Sequence, residues 1–156
     1  MDVTTGLQWN ASLLDPTGLR CPKPRSKGKT MIIDKGIGLH AFEDMLAIAG
    51  DHIDLIKVGF GTSPLYPQSI LRKKIELARS YDICILPGGT FLELAVAQRE
   101  EEHFFDTVAT LGFTGVEVSD GTIDLERSHR NDIIKRAVGF GFTVFSEYGK
   151  KKLGSK

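Results

Sequence analysis

The stretch IDLIKVGFGTS, residues 53–63, runs as an apolar strand into a polar cluster punctuated by glycine, and Lys57 interrupts it. An ammonium buried without a partner costs several kcal/mol, so a lysine between Ile56 and Val58 requires a counter-charge or a task. The pattern recurs in TMIIDKG (30–36), DICILPGG (82–89), FTGVEVSDG (113–121) and FTVFSEYG (142–149). The closing glycines, Gly36, Gly61, Gly89, Gly121 and Gly149, stand roughly 25–32 residues apart, which leaves room for one helix and two short loops per gap.

The gaps themselves read as helices. HAFEDMLAIAG places Phe42, Met45, Leu46 and Ala49 on one face, and QSILRKKIELARS does the same with Leu71, Ile75 and Ala78. FLELAVAQREEEHFFDTVATLG (91–112) is long enough for a single helix of five turns, with its REEEH run as a solvated face. RNDIIKRAVGFG pairs Ile133 with Ala137 and Ile134 with Val138; Gly112 and Gly139 or Gly141 are natural stops. Strict alternation of strand and helix implies a parallel sheet, because a helical crossover starts each strand in the same direction.

Two architectures satisfy that alternation, an open doubly wound sheet and a (β/α) barrel. A doubly wound nucleotide binder shows G-x-G-x-x-G after its first strand. Here DKGIGLH supplies Gly36 and Gly38, then His40 and Ala41 where the third glycine belongs. A barrel draws its chemistry from the C-terminal ends of several strands, and the polar residues of this chain are distributed in that way.

Composition narrows the partners. The 156 residues carry 20 basic and 20 acidic side chains, so no global field draws the chain to nucleic acid or to an anionic membrane. No apolar run approaches the roughly 20 residues of a membrane span. Cys21 and Cys84 lie far apart, and the N-terminus lacks the pattern of a signal peptide, which points to a reducing cytoplasm and a small-molecule partner.

Parallel strands would bring to one rim Asp34 and Lys35, Lys57, Thr62 and Ser63, Thr90 and Glu93, Glu117, Ser119 and Asp120, and Glu147, Lys150 and Lys151. Such a nearly neutral set suits a metal on carboxylates and an anion on lysines. Each group also has a plainer reading: a lysine or glutamate near a strand end can be a structural ion pair. Gly88, Gly89 and Thr90 can cradle a phosphate at a helix start or simply make a turn. His40, His52, His103 and His129 show no ligand spacing, and Cys84 reads as core packing.

Taken jointly, KPRSKGKTMIIDKGIG, AGDHIDLIKVGFGTS, DICILPGGTFLELA, GFTGVEVSDGTIDL, RNDIIKRA and FTVFSEYGKK resemble the phosphosulfolactate synthase family, in order from about Lys23 to Lys151. The resemblance implies a (β/α)8 barrel of the TIM type that uses Mg2+ to add sulfite to phosphoenolpyruvate, giving (2R)-phospho-3-sulfolactate on the way to coenzyme M or sulfolactate. It implies that Lys151 is the general acid protonating C2. Glu117, Asp120 and Glu147 are the candidate Mg2+ ligands. Lys35 and Lys57 would hold the negative groups of sulfite or substrate, and Thr62 and Ser63 would add hydroxyl donors. Asp34, Lys150 and the Gly88–Thr90 turn complete the expected substrate site. Plant relatives include heat-stress-associated proteins, so the alternative is a non-catalytic member acting in stress tolerance or as an interaction module.

One departure stands out: five strand segments are present where the family barrel has eight. Residues 1–28 read as an irregular leader and 29–156 as a partial (β/α) barrel of about five units. Three explanations fit: a fragment or truncated gene, which is favoured because the motifs remain intact up to the break; self-association into a homo-oligomer; or a degraded paralogue. Weak activity of the isolated chain is the corresponding expectation.

Overall fold

The computed structural model describes residues 9–14, 17–19 and 21–150. After a single helical turn, α1 (Ala11–Leu14), strands and helices alternate: β1 (Met31–Asp34), α2 (Leu39–Ala49), β2 (Leu55–Val58), α3 (Gln68–Ser80), β3 (Cys84–Pro87), α4 (Gly89–Gln98), α5 (Glu101–Leu111), β4 (Gly115–Val118), α6 (Arg127–Gly139) and β5 (Thr143–Ser146). All ladders are parallel. β2 pairs with β1 and β3, and β4 pairs with β5. Thr114 joins the two sets: its N–H donates to the Ile85 carbonyl, and its hydroxyl accepts from the Ile85 N–H, both at 3.1 Å. The strands thus lie side by side in chain order, as in an arc of a barrel, and without the order reversal of a doubly wound sheet.

Alternation along each strand divides the arc into two faces. Ile56, Val58, Ile85, Val116 and Val118 pack with Phe42, Leu46, Leu71, Ile75, Leu92, Phe105 and Ile133 in the core between sheet and helices. Each such side chain contributes on the order of 1.5–3 kcal/mol by leaving water. The registers Ile33↔Lys57↔Leu86 and Glu117↔Phe145 place these five side chains together on the other, concave face.

The long helix expected over 91–112 is instead two. Arg99 takes a left-handed conformation (φ 61°) and closes α4, its N–H bonding the Ala95 and Val96 carbonyls. An unbroken helix would turn Leu92 and Phe104 roughly 120° apart. The break lets both enter the same core. The REEEH run supplies the N-terminus of α5, where Glu101 lies 3.2 Å from His129 and Glu102 lies 2.6 Å from Arg136, so it pairs with α6.

Within the stretch read as a leader, Cys21–Arg25 is irregular but tied to the domain. Arg25 donates to the Cys21 carbonyl, the Asp51 carbonyl and the Asp54 carboxylate at 2.8–2.9 Å. Lys23 donates to the carbonyls of Gly50 (2.6 Å) and Tyr81 (2.8 Å). Burial raises the Asp54 pKa, but the Thr30 N–H and Arg25 outweigh it and hold the carboxyl below its usual range. These contacts lie at the N-terminal end of β2, away from the strand ends where the chemistry is expected.

Candidate active site

Lys57 points from β2 across Leu86 to β4, where its Nζ lies 2.7 Å from each oxygen of Glu117. Glu147, just past β5, lies 3.8 Å from the same ammonium and has a side chain 47% exposed. A cation reached by carboxylates from two other strand ends answers the question Lys57 poses, and it opens toward solvent on the Glu147 side.

Glu117 has a second role. The Gly89 N–H, first in α4, donates to Glu117 Oε2 at 2.6 Å. A Cβ on Gly89 would sit 2.9 Å from that oxygen and closer still to Ser119 Oγ, so only glycine fits. Gly88 is equally constrained, since its Cβ would meet the Phe60 N at 2.8 Å. The Gly88–Thr90 turn therefore presents the Gly89 N–H to a carboxylate of the protein itself, a stabilising arrangement at a helix N-terminus. Thr90 lies half-buried in the first turn.

The loop after β4 is gripped by Glu93. This carboxylate, in a residue 1% exposed, accepts from the hydroxyls of Ser119 and Thr122, the Thr122 N–H (2.6 Å) and the Gly121 N–H (3.2 Å). Burial pushes its pKa up, but the donated hydrogen bonds win and hold it below the ordinary glutamate range. The loop delivers Asp120 to Arg130 of α6 at 3.1 Å, and Arg130 also donates to the Glu147 carbonyl at 3.0 Å while its guanidinium lies 5.0 Å from the Tyr148 ring. Arg130 thus ties the end of β4 to the end of β5.

The other expected site residues divide. Asp34 faces the helices: its carboxylate binds Lys74 of α3 at 2.6 Å and accepts the N–H groups of Gly36 and Ile37, with the Tyr66 hydroxyl at 3.3 Å. Burial and the Asp34 charge push the Tyr66 pKa up to about 12. Lys35 is exposed beside Gly59. Thr62 donates its hydroxyl to the Gly59 carbonyl at 2.6 Å, and Ser63 lines a cavity between α3, α4 and α5. Lys150 binds the Ile123 carbonyl and Asp124, at 2.8 Å from the latter. Lys151 lies outside the described residues.

The three carboxylates expected to share a metal do not form one ligand set, because Asp120 is drawn to Arg130 and Glu117 is engaged by Lys57 and Gly89. Among the described residues no group of three or more His, Cys, Asp or Glu is placed to hold an ion. Of the three carboxylates, Glu147 alone has a half-exposed side chain. One or two protein carboxylates with waters and substrate oxygens is an ordinary Mg2+ environment, so a single-ligand role for Glu147 fits.

The family model of (2R)-phospho-3-sulfolactate synthase (ComA) matches residues 19–156. The chain belongs to the phosphosulfolactate synthase family. It is 40% identical over 132 residues to the phosphosulfolactate synthase of Methanothermobacter thermautotrophicus, covering 85% of this chain and 51% of that protein. It is 38% identical over 125 residues to the phosphosulfolactate synthase of Methanocaldococcus jannaschii (80% and 50%), and 35% identical over 133 residues to that of Bacillus subtilis (85% and 52%). The chain spans about half the length of the curated relatives it matches. Five parallel strands joined by helical crossovers are consistent with part of the TIM-type barrel of this phosphosulfolactate synthase family.

Two residues that organise the site, Arg130 and Lys74, carried no role in the sequence reading, and Glu93 was placed at the rim without its part as the anchor of the loop after β4. The signal was present. Each is a charged residue on the apolar face of its helix, as Lys74 is between Leu71 and Ala78, Arg130 beside Ile133, and Glu93 beside Leu92.

Proposed function

We propose that the strand-end face of this chain is the catalytic face of a phosphosulfolactate synthase that joins sulfite to phosphoenolpyruvate, giving (2R)-phospho-3-sulfolactate. The observation that carries the reading is the Lys57 ammonium held by Glu117 and approached by Glu147 at adjoining strand ends. In the reaction the sulfur lone pair forms a bond to C3. The C2–C3 π electrons move toward C2 and the carboxylate, and C2 then takes a proton; the phosphate ester stays intact.

The chain's own residues serve that sequence as follows. Lys57, fixed by Glu117, presents donors to the negative groups of the substrate, where fixed charges need no reorganisation during the reaction. Lys35, exposed and with no side-chain partner among the described residues, receives sulfite or phosphate. Glu93 and Arg130 hold the loops after β4 and β5 in register. Lys151 is the proposed proton donor to C2, one residue beyond the anchored Lys150. Mg2+ is the proposed cofactor, held through Glu147, and when bound it would supply Lewis-acid stabilisation of the charge on the substrate carboxylate. The described residues include no helix long and apolar enough to cross a membrane, and with two free cysteines we place the chain in the cytoplasm.

The test is sulfite-dependent loss of phosphoenolpyruvate absorbance, with and without Mg2+, in the chain and its Lys151→Ala variant. Turnover that needs sulfite and collapses in Lys151→Ala is expected. Absence of turnover both in the folded chain and in a version extended to the relatives' full length would overturn the reading and favour a non-catalytic member.

A further inference from the structure

A cavity of about 350 Å³ lies between α3, α4 and α5. Its α4 wall is Phe91, Leu94, Ala95 and Gln98, whereas Gly89 and Glu93, the α4 residues that serve the strand ends, take no part in it. All its walls come from consecutive units in the middle of the chain, so it does not depend on either open edge of the arc. The volume is at the lower end of the range for small-molecule sites, roughly 300–1,000 Å³, and well above the ~30 Å³ of one water.

Among the polar side chains of the wall, Gln98, Glu100, His103 and Thr107 are exposed, and Ser63 alone is buried. Ser63 is 4% exposed and lines the cavity, and its Oγ has no hydrogen-bond partner. The hydroxyl of the neighbouring Thr62, by contrast, is used within its own turn. Buried hydroxyls are nearly always bonded, and leaving one unsatisfied is unfavourable. The ionisable lining residues, Glu100 and His103, are both exposed at the mouth, beside exposed Thr107. We propose that this cavity binds a small, uncharged, mainly apolar molecule whose single hydroxyl or carbonyl group bonds to Ser63. The site is separate from the strand-end face and does not rest on the proposed synthase activity.

The probes are 4-phenyl-1-butanol and butylbenzene, followed by ligand-observed NMR on the 156-residue chain. The alcohol should bind about two- to tenfold more tightly than the hydrocarbon, the range of one hydrogen bond. Ser63→Ala should erase that preference and leave butylbenzene affinity unchanged. Thr107→Trp, at an exposed position that leaves the core intact, should block both probes. No binding at millimolar concentration, as for a cavity that holds only water, would overturn the proposal. So would binding that survives Thr107→Trp, a preference that survives Ser63→Ala, or sedimentation showing that a second copy of the chain covers the cavity.

Discussion

Two buried lysine–carboxylate pairs lie near neighbouring strand ends, and they do opposite things. Lys74–Asp34 sits between sheet and helices with Lys74 0% exposed, and its ammonium also donates to the Ile37 carbonyl (2.6 Å) and to Tyr66 Oη (3.3 Å) over the rings of Phe42 and Tyr66. Every donor of that ammonium is occupied, which makes the pair a structural lock on the loops after β1 and β2. Lys57–Glu117 lies on the concave face, with Glu147 at 3.8 Å and open to solvent. Its ammonium is bonded to Glu117, and the half-exposed Glu147 marks the side that faces water. One residue of register separates the two cases: Asp34 is opposite Val58, and Lys57 is opposite Ile33.

The sharpest way to break this contrast is Lys74→Met. Asp34 would then be a buried carboxylate without a counter-charge, and loss of one partner from a buried pair costs about 3–5 kcal/mol. Urea unfolding should show that loss as a lower midpoint with an unchanged slope. A change below 1 kcal/mol would mean that the pair is no more than a surface-like contact. Lys57→Met should reverse the profile: its stability loss is smaller, because Glu117 keeps the Gly89 N–H, while the sulfite-dependent rate falls about 10²–10³-fold, the cost of removing a preorganised donor. A variant that loses stability as Lys74→Met does and keeps its rate would make Lys57 a second lock.

The architecture was legible because it rests on patterns that repeat. Glycine-closed strands such as IDLIKVGFG, with amphipathic gaps between them, fixed the number and direction of the βα units. What the sequence could not separate was the face on which each strand-end residue falls. Asp34 and Lys57 have the same polar context in their segments, and only the register shows that one points at α3 and the other into the arc. The division of 91–112 was hidden for a similar reason, since Arg99 has no glycine or proline beside it and the break answers the placement of Leu92 and Phe104 in a shared core. Lys57, Glu117 and Glu147 lie within reach of one another. Asp120 did not join them because Arg130, on the next helix, claims it, and that pairing depends on a loop shape set by Glu93.

Glu93 sharpens the comparison most finely, because it is a third buried carboxylate and its partners are hydroxyl and backbone donors, with no cation among them. Glu93→Gln replaces an acceptor oxygen with an amide that points donors at donors, at a cost of about 1–3 kcal/mol. The pH dependence carries the diagnostic. The folded-state pKa of Glu93 is depressed, so the folded protein binds fewer protons there than the unfolded chain. Its contribution is complete above the ordinary value of 4.5 and is lost as pH falls through the lower folded value. Stability of the parent chain should therefore decline on acidification below about pH 4.5, and the decline should be shallower in Glu93→Gln. Asp54, also depressed but at the opposite end of the strands, remains in the variant and leaves a residual slope. Parallel acid limbs in the two proteins would show that the loop after β4 is held by its shape and that the Glu93 charge contributes nothing to it.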